Sequence, residues 1–263
     1  MRPGPFVASG PSSPATVWAV GDAADTGPRT AKVAELVRGG APDRLLYLGD
    51  VYPDGTAEDF NKSYAPGWGS LGAVTAPTPG NHEWQNRVQG YDPYWRAAKQ
   101  SPVRHRYSFE LAGWQIISLN SEGSRGPSSE QVRWLRREVS RPGTCRLAFW
   151  HAPRYSAGEI HGDDQSVEPF WGELAGHAAL VVNAHEHNMQ RFKPRRGITQ
   201  LVSGAGGHGG RYMSDERDRR LAFSNDEVDG ALRLKLAAGR AEYAFVAVDG
   251  RTLDSGSVSC LGG

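Results

Sequence analysis

Short apolar runs recur along the first two thirds of the chain, and five times such a run leads to a side chain able to bind a metal. Thr16–Val20 runs into Gly21 and Asp22, and Leu45–Leu48 runs into Gly49 and Asp50. Val74–Ala76 leads through Pro77–Gly80 to Asn81 and His82. Arg146–Trp150 ends at His151, and Ala178–Val182 leads through Asn183 and Ala184 to His185 and His187. Apolar runs this short, bounded by turn residues, read as buried strands. Helix-like stretches separate them. Ala31, Val33, Ala34, Leu36 and Val37 form one, closed by Gly39 and Gly40. Ser128 with Gln131 three residues later reads as a capping box opening another, with Val132, Leu135 and Val139 on one face.

Strand and helix in alternation build parallel sheet, and ligands of open α/β sheets gather beyond the carboxyl ends of the strands. Residues far apart in sequence are therefore expected to converge at one edge. The last third reads differently. Ala231–Leu236, Glu242–Val248 and Leu253–Val258 alternate like antiparallel strands joined by turns at Gly239 and Gly250, extending or facing the sheet. The expected fold is an α/β sandwich, two mixed sheets flanked by helices with antiparallel strands at the C-terminus. A single domain is expected over residues 16–263, after a flexible, Pro-, Gly- and Ser-rich arm over 1–15.

Composition narrows the function. Net charge is +1, and the basic run Arg191, Lys193, Arg195 and Arg196 is balanced by Asp215, Glu216 and Asp218, so a one-sided nucleic-acid footprint is not expected. No window is apolar enough for a spanning helix, so no membrane partner is expected. The N-terminus lacks the apolar stretch of an export signal, which favours a cytoplasmic location; a trimmed signal and secretion are the alternative. Cys145 and Cys260 are the two cysteines, which excludes a thiolate-rich zinc site and reads as two free thiols. A Cys145–Cys260 bridge is the alternative that goes with export, because both lie on or beside predicted strands.

Any one of the strand-end residues is ordinary, since a Gly-Asp after a strand is commonly a turn with a helix cap. Together they are not. Carboxylates and imidazoles that converge without a cation leave buried charge unpaired, which costs several kcal/mol per ion. A donor set of oxygen and nitrogen without thiolate suits Fe, Mn or Zn. Two such ions about 3.5–4 Å apart, bridged by a carboxylate, clamp a phosphate and generate a nucleophile near neutral pH.

The order Gly21-Asp22, Gly49-Asp50, Gly80-Asn81-His82-Glu83, His151 and His185-Glu186-His187 resembles the calcineurin-like metallophosphoesterase superfamily, and within it the purple-acid-phosphatase-like branch. The resemblance covers roughly residues 16–205. It implies two divalent or trivalent ions: Asp22 and His187 on the first, Asn81, His151 and His185 on the second, with Asp50 bridging. It implies that His82 binds the phosphate and helps protonate the leaving oxygen. The implied activity is hydrolysis of phosphomonoesters by attack of a metal-bound hydroxide on a small phosphorylated substrate. A phosphodiesterase on the same site, or a catalytically silent metal-binding scaffold, is the alternative.

Three positions depart from the family pattern. Ala24 stands where the wider superfamily has a His. Pro53 stands where the purple branch has its Tyr, and Tyr52 comes one residue early; Tyr52 is a candidate ligand, with packing behind the site as the other reading. Ala184 replaces the usual Gly. Beyond the ligands, His161 lies on a loop shortly after His151 and is a candidate substrate contact or proton donor, against a plain loop histidine. Arg154, Glu83 and Arg191 are candidates for phosphate or supporting contacts. His208 sits among glycines that turns explain equally well, and His105 and His177 read as structural.

Overall fold

The computed structural model describes residues 14–142, 145–210 and 212–260. Residues 1–13, most of the expected N-terminal arm, lie outside the described residues, and Ala15 already begins the first strand. The strands are β1 (Ala15–Val20), β2 (Arg44–Tyr47), β3 (Thr75–Pro77), β4 (Tyr107–Leu111), β5 (Trp114–Ser118), β6 (Cys145–Phe149) and β7 (Leu180–Asn183). They continue as β8 (Met189–Phe192), β9 (Thr199–Ser203), β10 (Leu221–Asn225), β11 (Gly230–Ala237), β12 (Arg240–Ala247) and β13 (Thr252–Ser259). One sheet has the order β13-β12-β11-β1-β2-β3 and the other β10-β8-β9-β7-β6-β5-β4.

In the first sheet β1, β2 and β3 are parallel, and β11 joins β1 antiparallel. The C-terminal meander therefore extends this sheet. In the second, β5, β6, β7 and β9 run parallel. The result is the expected α/β sandwich of two mixed sheets flanked by helices.

Side chains alternate across a strand, and each parallel strand is covered on both faces, which is why these runs are apolar throughout. Leu147, Phe149, Leu180 and Val182 point between the sheets and join Val17, Ala19 and Leu232 in one core. Ala148, Trp150, Val181 and Val202 point the other way and pack on the helices Glu130–Val139 and Glu168–Leu174 through Val132, Leu135, Val139, Phe170 and Trp171. Burying each of the Val, Leu and Phe side chains among them contributes about 1.5–3 kcal/mol.

Two local expectations change. The helix Glu130–Val139 is capped by Ser129, whose hydroxyl accepts from the Val132 N–H, rather than by Ser128. Gln131 turns instead to the backbone of Asn120, accepting from its N–H at 2.8 Å and donating to its carbonyl at 3.0 Å. A buried amide with a tertiary backbone partner outbids a capping box that would leave that backbone unsatisfied.

Cys145 and Cys260 form a disulfide with Cα atoms 5.1 Å apart, correcting the reading of two free thiols. The pairing has a topological cause. Ala238, in the β11–β12 turn, packs near Gly113 of the β4–β5 turn, and the Cys260 N–H donates to the Gly239 carbonyl. That brings the end of the first sheet beside the start of β6. Among the described residues no helix is long and apolar enough to cross a membrane.

Candidate metal centre

Asp22, Asp50 and Asn81 follow β1, β2 and β3 of the first sheet, while His151, His185 and His187 follow β6 and β7 of the second. The site thus sits where the carboxyl ends of both sheets meet. Asp22, Asp50 and His185 all adopt left-handed backbone, with φ of 54°, 68° and 71°. Non-glycine residues hold such angles only where the surroundings over-determine them, and such strain concentrates at functional sites. Here the Asp22 N–H donates to the Gly49 carbonyl, the Asp50 N–H donates to Glu83, and the His185 N–H donates to Asp22 Oδ2 at 2.9 Å. Ala184, in the usual glycine position, is not left-handed; the following His185 takes that conformation, so the alanine is accommodated.

Around His151 the donor atoms converge. Its Nδ1 lies 2.8 Å from the Leu48 carbonyl oxygen and donates to it, which leaves a lone pair on Nε2. Nε2 is 3.0 Å from Asn81 Oδ1, 3.0 Å from His185 Nδ1 and 3.4 Å from Asp50 Oδ2. One ligand atom from each of Asp50, His151 and His185 lies within 4.8 Å of the others. Acceptors at these distances around the buried His151 and Asp50 repel unless positive charge lies among them. Burial opposes an imidazolium at His151, but the adjacent Asp50 outweighs it and holds His151 well above its ordinary value. Burial likewise pushes the Asp50 carboxyl up, and His151 and His82 overcome that and hold it well below the carboxylate range. His185 is pushed down to about 3 by burial and by His151 and His161. A cation placed among these atoms would offset that repulsion, and these side chains could hold one.

A second group adjoins the first through Asp50. The Tyr52 hydroxyl lies 2.9 Å from Asp22 Oδ1, 3.1 Å from Asp50 Oδ2 and 3.2 Å from His187 Nε2. His187 Nδ1 donates to the Gly210 carbonyl at 3.2 Å, so its Nε2 also presents a lone pair, 3.5 Å from Asp22 Oδ1. A single hydroxyl proton cannot satisfy three acceptors. Burial, with Asp22 and Asp50 beside it, drives the Tyr52 hydroxyl well above its ordinary value. Both donor sets fit hard or borderline metal ions, and Asp50 Oδ2 belongs to both.

His82 lies at the mouth. Its backbone N–H donates to Asp50 Oδ1 at 3.2 Å, its Nδ1 meets the Pro53 carbonyl, and its Nε2 is 3.8 Å from Asp50 Oδ2. His161 is exposed, with its ring centroid 4.0 Å from that of His185. Arg154 is not brought to this cluster by any contact among the described residues. Its buried guanidinium bonds Glu168 and pairs with Asp163 at 3.7 Å. Arg191 is likewise engaged elsewhere, bonded to Asp254 at 2.7 Å across the two sheets. His105 bonds Asp92 at 2.6 Å, in keeping with a structural role.

Sequence reasoning underrated three neighbours. His208 stacks on Tyr52 with an interplanar angle of 11° and bonds Asp25 at 2.8 Å. Tyr212 stacks on His187 with centroids 4.1 Å apart. Glu186 is fully buried between the two strand-end histidines. The dense glycines around His208 were the available signal; Tyr212 and Glu186 carried none.

A family model for calcineurin-like phosphoesterases matches residues 15–189. Probable purple acid phosphatase 20 of Arabidopsis thaliana is 33% identical over 161 residues, covering 51% of this chain and 38% of that protein. Probable cyclic nucleotide phosphodiesterase syc0937_d of a Synechococcus strain is 26% identical over 187 residues, covering 67% of this chain and 69% of that protein. The chain spans about two fifths of the length of the plant purple acid phosphatases it matches. Among solved structures, the purple acid phosphatase PPD1 from yellow lupin seeds superposes with a TM-score of 0.74 at 15% identity, over 95% of this chain and 54% of that one. GAP50, the anchor in the inner membrane complex of Plasmodium, gives 0.75 at 13% identity, over 94% and 89%. At these identities the likeness is one of fold. From its two-sheet architecture, its strand-end residues and the matched family model, the chain belongs to the calcineurin-like phosphoesterase family, in the branch that resembles purple acid phosphatases.

Proposed function

We propose that this protein is a phosphatase that hydrolyses small phosphomonoesters on a pair of metal ions drawn from Fe, Mn and Zn. One observation carries the reading: two sets of acceptors, one around the buried His151 and one around the buried Tyr52, share Asp50 Oδ2. In this reading Asp22, Tyr52 and His187 would hold one ion and Asn81, His151 and His185 the other, with Asp50 serving both. When bound, such ions supply Lewis acidity and a nucleophile near neutral pH.

The chain's own groups do the rest. The Leu48 and Gly210 carbonyls, by accepting from His151 and His187, keep both Nε2 lone pairs turned into the site. Glu83 fixes the turn that carries Asp50. His82 and His161 stand at the mouth, where a phosphoryl group enters; they bind its oxygens, and one of them returns a proton to the leaving oxygen. Arg154 is assigned a supporting role, because its bonds to Glu168 and Asp163 order the segment that follows His161 rather than reaching the substrate.

A phosphodiesterase is the second reading, favoured by the relative named as a probable cyclic nucleotide phosphodiesterase, of which this chain covers 69%. The deciding experiment is hydrolysis of p-nitrophenyl phosphate beside its bis-ester, after chelation and after return of Fe, Mn or Zn. Turnover of the monoester that chelation abolishes and metal restores is expected. Preference for the bis-ester moves the reading to a diesterase, and no turnover of either by protein holding two ions overturns both.

A further inference from the structure

His185 and His187 point into the metal centre from alternate positions of one irregular turn, and the side chain between them leaves in the opposite direction. That side chain is Glu186, which is fully buried. A buried carboxylate is costly unless hydrogen-bonded, so its partners are informative. Its Oε1 accepts from the Ser156 hydroxyl at 2.8 Å and from the Gly162 N–H at 2.9 Å. Its Oε2 has no hydrogen-bond partner among the described residues and lies against Gly158, where an added Cβ would sit 2.1 Å away. Both ends of the segment 156–162 are thus held by one carboxylate, and its middle passes close enough to require glycine. That segment carries His161, whose ring lies against that of His185.

The backbone of the same turn is equally constrained. The Glu186 carbonyl packs on Gly204, where a Cβ would come within 2.0 Å, and accepts from the Asn188 N–H at 2.7 Å. Glu186 is therefore a rigid strut between the histidine turn and the loop at the mouth.

We propose that Glu186 is a positioning residue: it sets His161 over the site by holding the 156–162 loop to the turn that bears His185 and His187. This rests on the phosphatase reading for its kinetic arm alone. Glu186→Ala should lower kcat about tenfold to a hundredfold with metal content unchanged, because a displacement of about 1 Å is enough to do so. Glu186→Gln, whose amide oxygen can accept the same two bonds, should stay within about threefold of wild type. Since the effect runs through His161, adding Glu186→Ala to a His161→Ala protein should change kcat little further.

A second arm needs no turnover. In metal-free protein the amides of the 156–162 segment should exchange with solvent about tenfold faster in Glu186→Ala, and near the wild-type rate in Glu186→Gln. Unchanged exchange in Glu186→Ala, or additive losses of kcat in the double variant, would overturn the proposal. Wild-type protein inactive on every ester would instead overturn the phosphatase reading, and the exchange arm would still decide the role of Glu186.

Discussion

Both carboxylate oxygens of Glu83 accept from the backbone N–H of Asp50, each at 3.1 Å, and one also accepts from Val51. The turn that carries the shared carboxylate of the centre is therefore held by another carboxylate, fully out of water. Burial and the adjacent Asp50 push Glu83 up to about 8. Its folded value lies above its unfolded one, so the folded state holds a proton the unfolded state has lost across that interval. Its stabilising contribution is full below the unfolded value, about 4.5, and is lost as pH rises through about 8. In metal-free protein the urea midpoint of wild type should fall relative to that of Glu83→Gln between these limits. Parallel curves for the two proteins would remove Glu83 from this account.

Tyr52 gives a spectroscopic prediction. Its hydroxyl touches Asp22, Asp50 and His187, and replacing it by Phe leaves those groups facing one another without it. Tyr52→Phe should weaken retention of one ion about tenfold to a hundredfold while the other stays bound. Loaded with ferric iron, wild type should absorb visible light through a phenolate-to-iron transition and Tyr52→Phe should not. A visible band that survives the substitution would place Tyr52 behind the site instead.

His82 and Asn81 should separate by what they lose. His82→Ala should lower kcat about a hundredfold to ten-thousandfold with metal content intact. Asn81→Ala should lose metal, because Asn81 Oδ1 lies 3.0 Å from His151 Nε2, in the same candidate ligand set. Elemental analysis beside kinetics on each variant distinguishes the two outcomes.

The Cys145–Cys260 bond lies at the start of β6, whose other end leads into His151. It closes a loop with a sequence separation of 115 residues, for which chain entropy alone gives about 5 kcal/mol. The Cys145→Ser/Cys260→Ser protein should lose stability of that order in denaturant and keep wild-type kcat. Thiol titration of denatured, unreduced wild type should find no free thiol.

Much of this site was legible because each of its positions follows an apolar run that ends in a turn. That pattern is local, and β1, β2, β6 and β7 carry it in residues covered on both faces. The meander of β11, β12 and β13 was legible for a related reason: apolar residues recurring at alternate positions, clearest in β11, with Gly239 and Gly250 left-handed at its turns. What escaped depends on partners far along the chain. β8 was unreadable because Gln190 is buried and polar, satisfied by Ala157 and Asn188, and Arg191 by Asp254. β10 is only partly covered and lacks an apolar signature. The role of Gln131 was invisible because its backbone partner is Asn120, and Glu186 looked like any acid between two histidines.

Asp22, Asp50 and Asn81 follow strands of one sheet and His151, His185 and His187 strands of the other, so metal ions held by these side chains would rivet the seam of the sandwich. Shear of one sheet across the other would pull the two halves of each ligand set apart. Substitutions in the core between the sheets, such as at Phe149 or Val182, should therefore register as altered metal affinity although neither side chain is a ligand. On the proposed reading, metal release and slippage of the sheets would be one event viewed from two sides.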